Sequence, residues 1–170
     1  MKIAVLSDTH DQIGNLRSAV RLLNEEGIGL MIHCGDLISA FMLEELARFR
    51  GEVHLVYGNN VGDRRQIEAS CGTRFPAIRH HGVMGTLTAG GRRIAFVHYP
   101  ADAASLAEAG GHDVVCCGHN HRYEMSRMNG CMILNPGEML GKELAPGFCI
   151  LDLENLAVRR VVVGRPFSPA

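Results

Sequence analysis

Apolar residues in this chain come in two rhythms. Short unbroken runs at 3–6, 30–34 and 53–57 have the length and continuity of strands covered on both faces. Between the first two, Ile13, Leu16, Val20 and Leu23 recur at spacings of three and four, which marks an amphipathic helix. Asp11 is its expected N-cap and Gly27 its expected stop. A second helix is expected with Ser39 as cap and Met42, Leu46 and Phe49 on one face. This strand–helix–strand–helix–strand order predicts a parallel sheet with right-handed crossovers.

After about residue 76 the pattern changes. Segments 83–89 and 92–98 flank Gly90-Gly91, segments 123–128 and 131–134 flank Asn129-Gly130, and segments 148–153 and 157–163 flank Glu154-Asn155-Leu156. Each pair reads as a hairpin. Residues 101–109 read as a short Ala-rich helix ending at Gly110-Gly111, and 113–117 as another buried strand. With no linker, repeat or low-complexity stretch, the expectation is a single α/β domain over 1–164. It would have two packed sheets, one parallel and one mixed and hairpin-rich, with helices outside. A short frayed tail would occupy 165–170.

Composition narrows the function classes. The chain has 170 residues, 46% hydrophobic and 21% charged, with a formal net charge of −1. That balance argues against a broad basic surface, so no stable nucleic acid complex is expected. The paired Arg64-Arg65, Arg92-Arg93 and Arg159-Arg160 read as solvated turns or strand ends. Six cysteines without a C-x-x-C pair read as buried free thiols in a reducing compartment. The N-terminus lacks a signal-peptide pattern, and no run approaches the ~20 apolar residues that cross a bilayer. A cytoplasmic protein with no membrane association is expected. A symmetric homodimer is the base-rate assembly, though no residue demands it.

The candidate chemistry sits where the strands end. Asp8 and His10 follow the first run, Asp36 follows Gly35, Asn59 follows Gly58, His98 closes a later run, and His119 and His121 lie in Gly118-His119-Asn120-His121. Ligands of open parallel sheets bind beyond the carboxyl ends of the strands, so these residues converge by topology. In extended chain, alternate residues share a face, which would aim Asp8 with His10 and His119 with His121 the same way. Oxygen and imidazole ligands without thiolate suit Mn²⁺, Fe, Ni²⁺ or Zn²⁺ at a reactive site. Seven ligands are too many for one small ion and suit two ions sharing a carboxylate, with Asp36 the natural bridge.

D-x-H, G-D, G-N, a lone His and G-H-x-H, in that order, resemble the calcineurin-like metallophosphoesterase superfamily, and the length resembles its small prokaryotic phosphodiesterase branch. The resemblance runs from Lys2 to about Val163. It implies two packed mixed β-sheets flanked by helices, a four-layer α-β-β-α sandwich. It implies one metal on Asp8, His10, Asp36 and His121, a second on Asp36, Asn59, His98 and His119, and a water or hydroxide between them as nucleophile. The activity implied is a metal-dependent phosphodiesterase acting on a small phosphate ester, with two divalent ions, Mn²⁺ foremost. The alternatives are a phosphomonoesterase, or a catalytically weak binding or scaffold module on the same fold. A nuclease ranks last, lacking a basic groove.

This chain departs from the family pattern at two positions. Many relatives carry a histidine after the G-N, as a candidate proton donor to the leaving group, where this chain has Asn60. An amide cannot act as a general acid near neutral pH, though it can hydrogen-bond a phosphate oxygen. Tyr99-Pro100 follows His98 where relatives often have glycine, and a tyrosine there is placed to narrow the site or stack on a ring. Asn135-Pro136-Gly137 resembles a family loop near the site, and Glu138 beside it reads as a negative charge set against polyanionic substrates. Outside the ligand rhythm, His33, His54 and His112 read as structural, His80 and His81 as solvated loop residues, and Cys116-Cys117 as core. Arg122, next to the last motif, reads as a weak candidate for holding phosphate.

Overall fold

In the computed structural model, which describes residues 1–165, strand β1 (Lys2–Leu6) turns Ile3 and Val5 to one side and Ala4 and Leu6 to the other. That alternation sets the layering. Ala4 and Leu6 join a core with helix α1 (Ile13–Glu25) and helix α2 (Met42–Leu46), while Ile3 and Val5 join a core between two sheets. A third core places Ala103 and Ala107 of helix α4 (Pro100–Ala109) against Ala95, Val97 and Val115 on the far face of the second sheet. The order is therefore helix, sheet, sheet, helix.

The first sheet runs β11-β10-β1-β2-β3-β4, with β2 Leu30–His33, β3 Glu52–Leu55, β4 Ile78–His80, β10 Gly147–Asp152 and β11 Val158–Val162. The pairs β1–β2, β2–β3 and β3–β4 are parallel, while β10 pairs antiparallel to β1, Lys2 opposite Asp152. The second sheet runs β5-β6-β7-β9-β8, with β5 Met84–Ala89, β6 Arg92–Val97, β7 Val114–Cys116, β8 Tyr123–Met128 and β9 Cys131–Pro136. Its middle pairs are parallel and its two edge pairs antiparallel. Both sheets are thus mixed, as the family resemblance implies; the first is parallel only from β1 to β4, and β10 and β11 complete it antiparallel. The last hairpin does not join the second sheet. Its strand β10 is buried along almost its whole length, so it sits inside the first sheet beside β1.

The turn chemistry follows the sequence in most places. Helix α1 ends as expected at Gly27, where φ is +68° and the Ile28 N–H reaches back to Leu23 O. Asn129 and Gly130 both take positive φ between β8 and β9. Both expected helix caps are wrong, however. The α1 cap position is Gln12, and the Asp11 carboxylate instead accepts from the backbone N–H (2.9 Å) and hydroxyl (2.5 Å) of Ser39. That pair ties the loop after β1 to the loop after β2. Helix α2 begins at Met42 and lasts five residues, with Phe49 buried beyond it. Helix α3 (Arg64–Ser70) and β4 were not expected. Ile67 is the one buried residue of α3, too few for a visible period, though Asp63 caps it by accepting from the Gln66 N–H.

His80 lies in β4 against the Tyr57 ring, with centroids 3.8 Å apart, and His81 contacts His54 at 2.9 Å between the sheets. Neither is the solvated loop residue expected. Arg64 lies over the Tyr57 ring at 4.5 Å and Arg92 donates to Leu153 O, so these arginines brace the fold. All six cysteines are free, and burial pushes the Cys117 and Cys149 thiols up to about 12, which leaves them inert. Among the described residues no helix is long and apolar enough to cross a membrane.

Candidate metal centre

Pairing between β1 and β2 does not stop where the strands stop. The Asp8 N–H bonds Gly35 O and the His10 N–H bonds Asp36 O, each at 3.0 Å, so the two loops run on as a ladder. From the other side, Met139 and Leu140 donate to the carbonyls of Ser7 and Asp8. Held between these, the backbone is far from extended. Asp8, His10, Asp36, His119 and His121 all have positive φ, between 44° and 74°. Left-handed backbone is disfavoured at non-glycine residues and gathers at functional sites. The shared direction of Asp8 with His10, and of His119 with His121, therefore comes from two tight turns and not from strand alternation.

Glycine supplies room more than bend. A Cβ on Gly58 would collide with Asp36 Oδ1, and one on Gly118 would collide with Ser7 Oγ and Asp8 Oδ2. Of the three motif glycines, only Gly35 takes positive φ.

The structure brings all seven predicted ligands together. Ligand-capable atoms of Asp8, His10 and His121 lie within 4.8 Å of one another, as do those of Asp8, Asp36 and His98. Asp36 faces both ways, with Oδ2 3.4 Å from His10 Nε2 and Oδ1 3.6 Å from His98 Nε2. Asn59 Oδ1 sits 2.9 Å from His98 Nε2 and 2.8 Å from His119 Nδ1. Asp8 thus belongs to both groups, a sharing that the sequence assigned to Asp36 alone.

The atoms that face inward are prepared for a cation. His98 Nδ1 lies 2.8 Å from Cys34 O, and His121 Nδ1 lies 2.7 Å from Glu138 Oε2. A carbonyl and a carboxylate can only accept, so both imidazoles donate through Nδ1 and turn the Nε2 lone pair into the site. Asp8 Oδ1 and His10 Nε2 are buried with no hydrogen-bond partner among the described residues. A native interior rarely leaves two facing polar atoms orphaned, and a divalent cation would satisfy both. Burial alone would raise the Asp8 carboxyl, but the adjoining His10 and His98 imidazoles reverse this and hold it below the usual range. Asp8 in turn raises His10.

Several neighbours depart from expectation. Glu138 is fully buried and is not open to solvent. Its Oε1 accepts from the backbone N–H groups of Glu143 (2.6 Å) and Leu144 (2.7 Å) while Oε2 holds His121. Sequence reasoning noticed the charge and missed this task, because only its fixed separation from His121 was legible. Asn60 binds both oxygens of Asp36, through N at 2.8 Å and Nδ2 at 2.6 Å. Asn135 Nδ2 ties down Gly118 O and Asn120 Oδ1. His33, fully buried below the site, contacts Thr9 Oγ1 at 2.7 Å, and burial pulls its pKa down to about 4. The Arg122 side chain is exposed, and its backbone N–H donates to Asn120 Oδ1.

Residues 1–156 match the family model of the calcineurin-like phosphoesterase superfamily domain. A phosphodiesterase of Methanocaldococcus jannaschii is 30% identical over 172 residues, spanning 96% of this chain and 99% of its own. A probable metallophosphoesterase of Bacillus subtilis is 27% identical over 164 residues, spanning 91% of this chain and 86% of its own. The solved structure of an archaeal phosphodiesterase has a TM-score of 0.88 and 28% identity, covering 95% of this chain and 99% of that one. Vps29 of Chaetomium thermophilum, at 21% identity and a TM-score of 0.68 over 98% of this chain and 100% of its own, shares the fold.

Proposed function

The chain belongs to the calcineurin-like phosphoesterase superfamily, and on that premise we propose that it is a metal-dependent phosphoric diester hydrolase working as one domain over 1–164. The observation that carries this reading is the facing pair of buried, partnerless ligand atoms, Asp8 Oδ1 and His10 Nε2, inside a ring of inward-turned imidazoles. The relative covering nearly the whole chain is named a phosphodiesterase, which favours diesters over monoesters.

Asp8, His10, Asp36 and His121 would hold one divalent ion, and Asp36, Asn59, His98 and His119 a second. Oxygen and nitrogen donors of this mix accept Mn²⁺, Fe, Ni²⁺ or Zn²⁺. Such ions lower the pKa of a bound water and offset charge on the phosphoryl oxygens. The protein's own residues do the rest. Asp8 and Asp36 supply buried carboxylate oxygens to the centre, and His98 and His121 are locked in the tautomer that presents Nε2. Asn60, which gives one amide hydrogen to Asp36, would offer the second to a phosphoryl oxygen and has no proton for the leaving group.

The test strips the protein with chelator, adds back Mn²⁺, and compares bis-p-nitrophenyl phosphate with p-nitrophenyl phosphate. Faster turnover of the diester, lost on chelation, is the expected result. Faster turnover of the monoester would make it a phosphomonoesterase. No turnover of either by protein shown to hold metal would overturn the enzymatic reading in favour of a binding module.

A further inference from the structure

Beside the metal centre lies a cavity of about 520 Å³, open to solvent, between the start of β5 and helix α4 (Pro100–Ala109). His98 and Gly58 line it, so it is continuous with the metal face. The rest of its wall is apolar in character: Tyr57, Val83, Met84, Tyr99 and Leu106, with Asp102 as the carboxylate among them. Among the described residues no lysine or arginine lines it. Val83, Met84 and Tyr99 are 69%, 42% and 39% exposed, so three of the large hydrophobic side chains that this protein leaves in water meet in one place. Apolar exposure gathered at a concave site next to reactive groups marks ligand contact.

The wall is also rigid. Tyr99 packs edge-on against His98 and His119, with ring centroids 5.2 and 4.7 Å apart, so two proposed metal ligands fix its orientation. An aromatic face held in place and half open favours a second ring stacked or set edge-on against it.

We propose that this bay receives the organic group of the ester, and that the group is an uncharged aryl ring attached close to phosphorus. Phosphate oxygens would lie on the metal face at His98 while the ring lies between Tyr99, Leu106 and Val83. The volume admits an aryl ring. Asp102, with no basic residue opposite it on this wall, turns away substrates that carry further negative charge there, such as polyphosphate chains. The proposal rests on the phosphodiesterase reading and adds its substrate class.

Phenylphosphonate and methylphosphonate separate the two ideas, because both present the same non-hydrolysable head group and only one has a ring. Their binding to Mn²⁺-loaded protein is measured by calorimetry. Burying one ring face predicts that phenylphosphonate binds about tenfold tighter or more. In Val83→Asp and Leu106→Asp, on opposite walls, the ratio falls to within about twofold. Val83 is largely exposed, so that variant decides if Leu106→Asp does not fold. 4-Carboxyphenylphosphonate loses the ring advantage in the wild type and regains it in Asp102→Asn; failure to regain it removes Asp102 from the selection. A wild-type ratio near one, or a tenfold ratio surviving in both wall variants, overturns the subsite while leaving the hydrolase reading intact. Binding of neither phosphonate, together with no diester hydrolysis, overturns the hydrolase reading and the subsite with it.

Discussion

Asp8 and Asp36 are 0% and 2% exposed, whereas Asn59 and His119 lie open to solvent, although all four end strands of the same centre. The closed half is anionic and braced. Its loops are laddered to each other, its carboxylates accept backbone N–H groups, and His121 is pinned by the buried Glu138. The open half rests on a neutral amide and on His98, pinned by a backbone carbonyl, and gives onto the bay beside Tyr99. Two buried carboxylates so close together need a cation, so that half must be built before substrate arrives. The half that meets substrate can afford exposure.

Ligand removal should break the two halves unequally. Asp36→Ala and Asp8→Ala each delete an oxygen near both ligand groups, so they should lose both ions and cut diester hydrolysis by more than about 100-fold, beyond the range of outer-shell changes. Asn59→Ala touches the open half alone and should keep one ion. Metal content per chain, measured alongside rate, decides. Equal loss of both ions in all three variants would erase the distinction between the halves.

Acid should weaken the closed half through His33. Burial lowers its pKa from 6.5 to about 4, so the unfolded chain binds the proton more readily than the folded one between those values. The contribution is complete above pH 6.5, is lost as pH falls toward 4, and amounts to at most about 3 kcal/mol. Urea unfolding of metal-free protein at pH 7.5 and pH 4.5 measures it. His33→Gln should flatten that slope, and an unchanged slope would place the acid sensitivity elsewhere.

Glu138→Gln tests the brace without touching a ligand. The carboxylate that orients His121 becomes an amide, and affinity for the ion on Asp8, His10 and His121 should fall about 10- to 100-fold. The ion on Asn59, His98 and His119 should keep its affinity, which two-site metal titration resolves. A fall at both sites would mean that Glu138 acts through the 143–144 loop it also holds, not through His121.

These contrasts explain what the sequence could reveal. Runs and periods gave the first three strands and α1, because each buries an apolar face, whereas the hairpins were legible from their turn residues, their edge strands β8 and β11 being exposed or half-buried. The polar stretch holding α3 and the short β4 carried no such signal, and neither did the sheet that β10 would join. The convergence of the seven candidate ligands was legible because topology places strand ends together. Their bracing was not. Glu138 on His121, Asp11 on Ser39 and the left-handed turns at Asp8 and Asp36 depend on separations between loops that spacing along the chain does not encode.

The smallest effect sharpens the open half. Asn60 donates to Asp36 and has no proton to give a leaving group at neutral pH. p-Nitrophenolate departs without one, so Asn60→His should change bis-p-nitrophenyl phosphate hydrolysis by less than about threefold. An ester with an alkoxide leaving group needs that proton, and there the same variant should accelerate turnover with a new limb in the pH–rate profile near the histidine pKa. Acceleration of both esters alike would mean that the imidazole acts as a cation on the phosphoryl oxygens. No change with either would mean that the alkoxide draws its proton from another group, with the imidazoles at the edge of the bay the nearest titratable neighbours of Asn59.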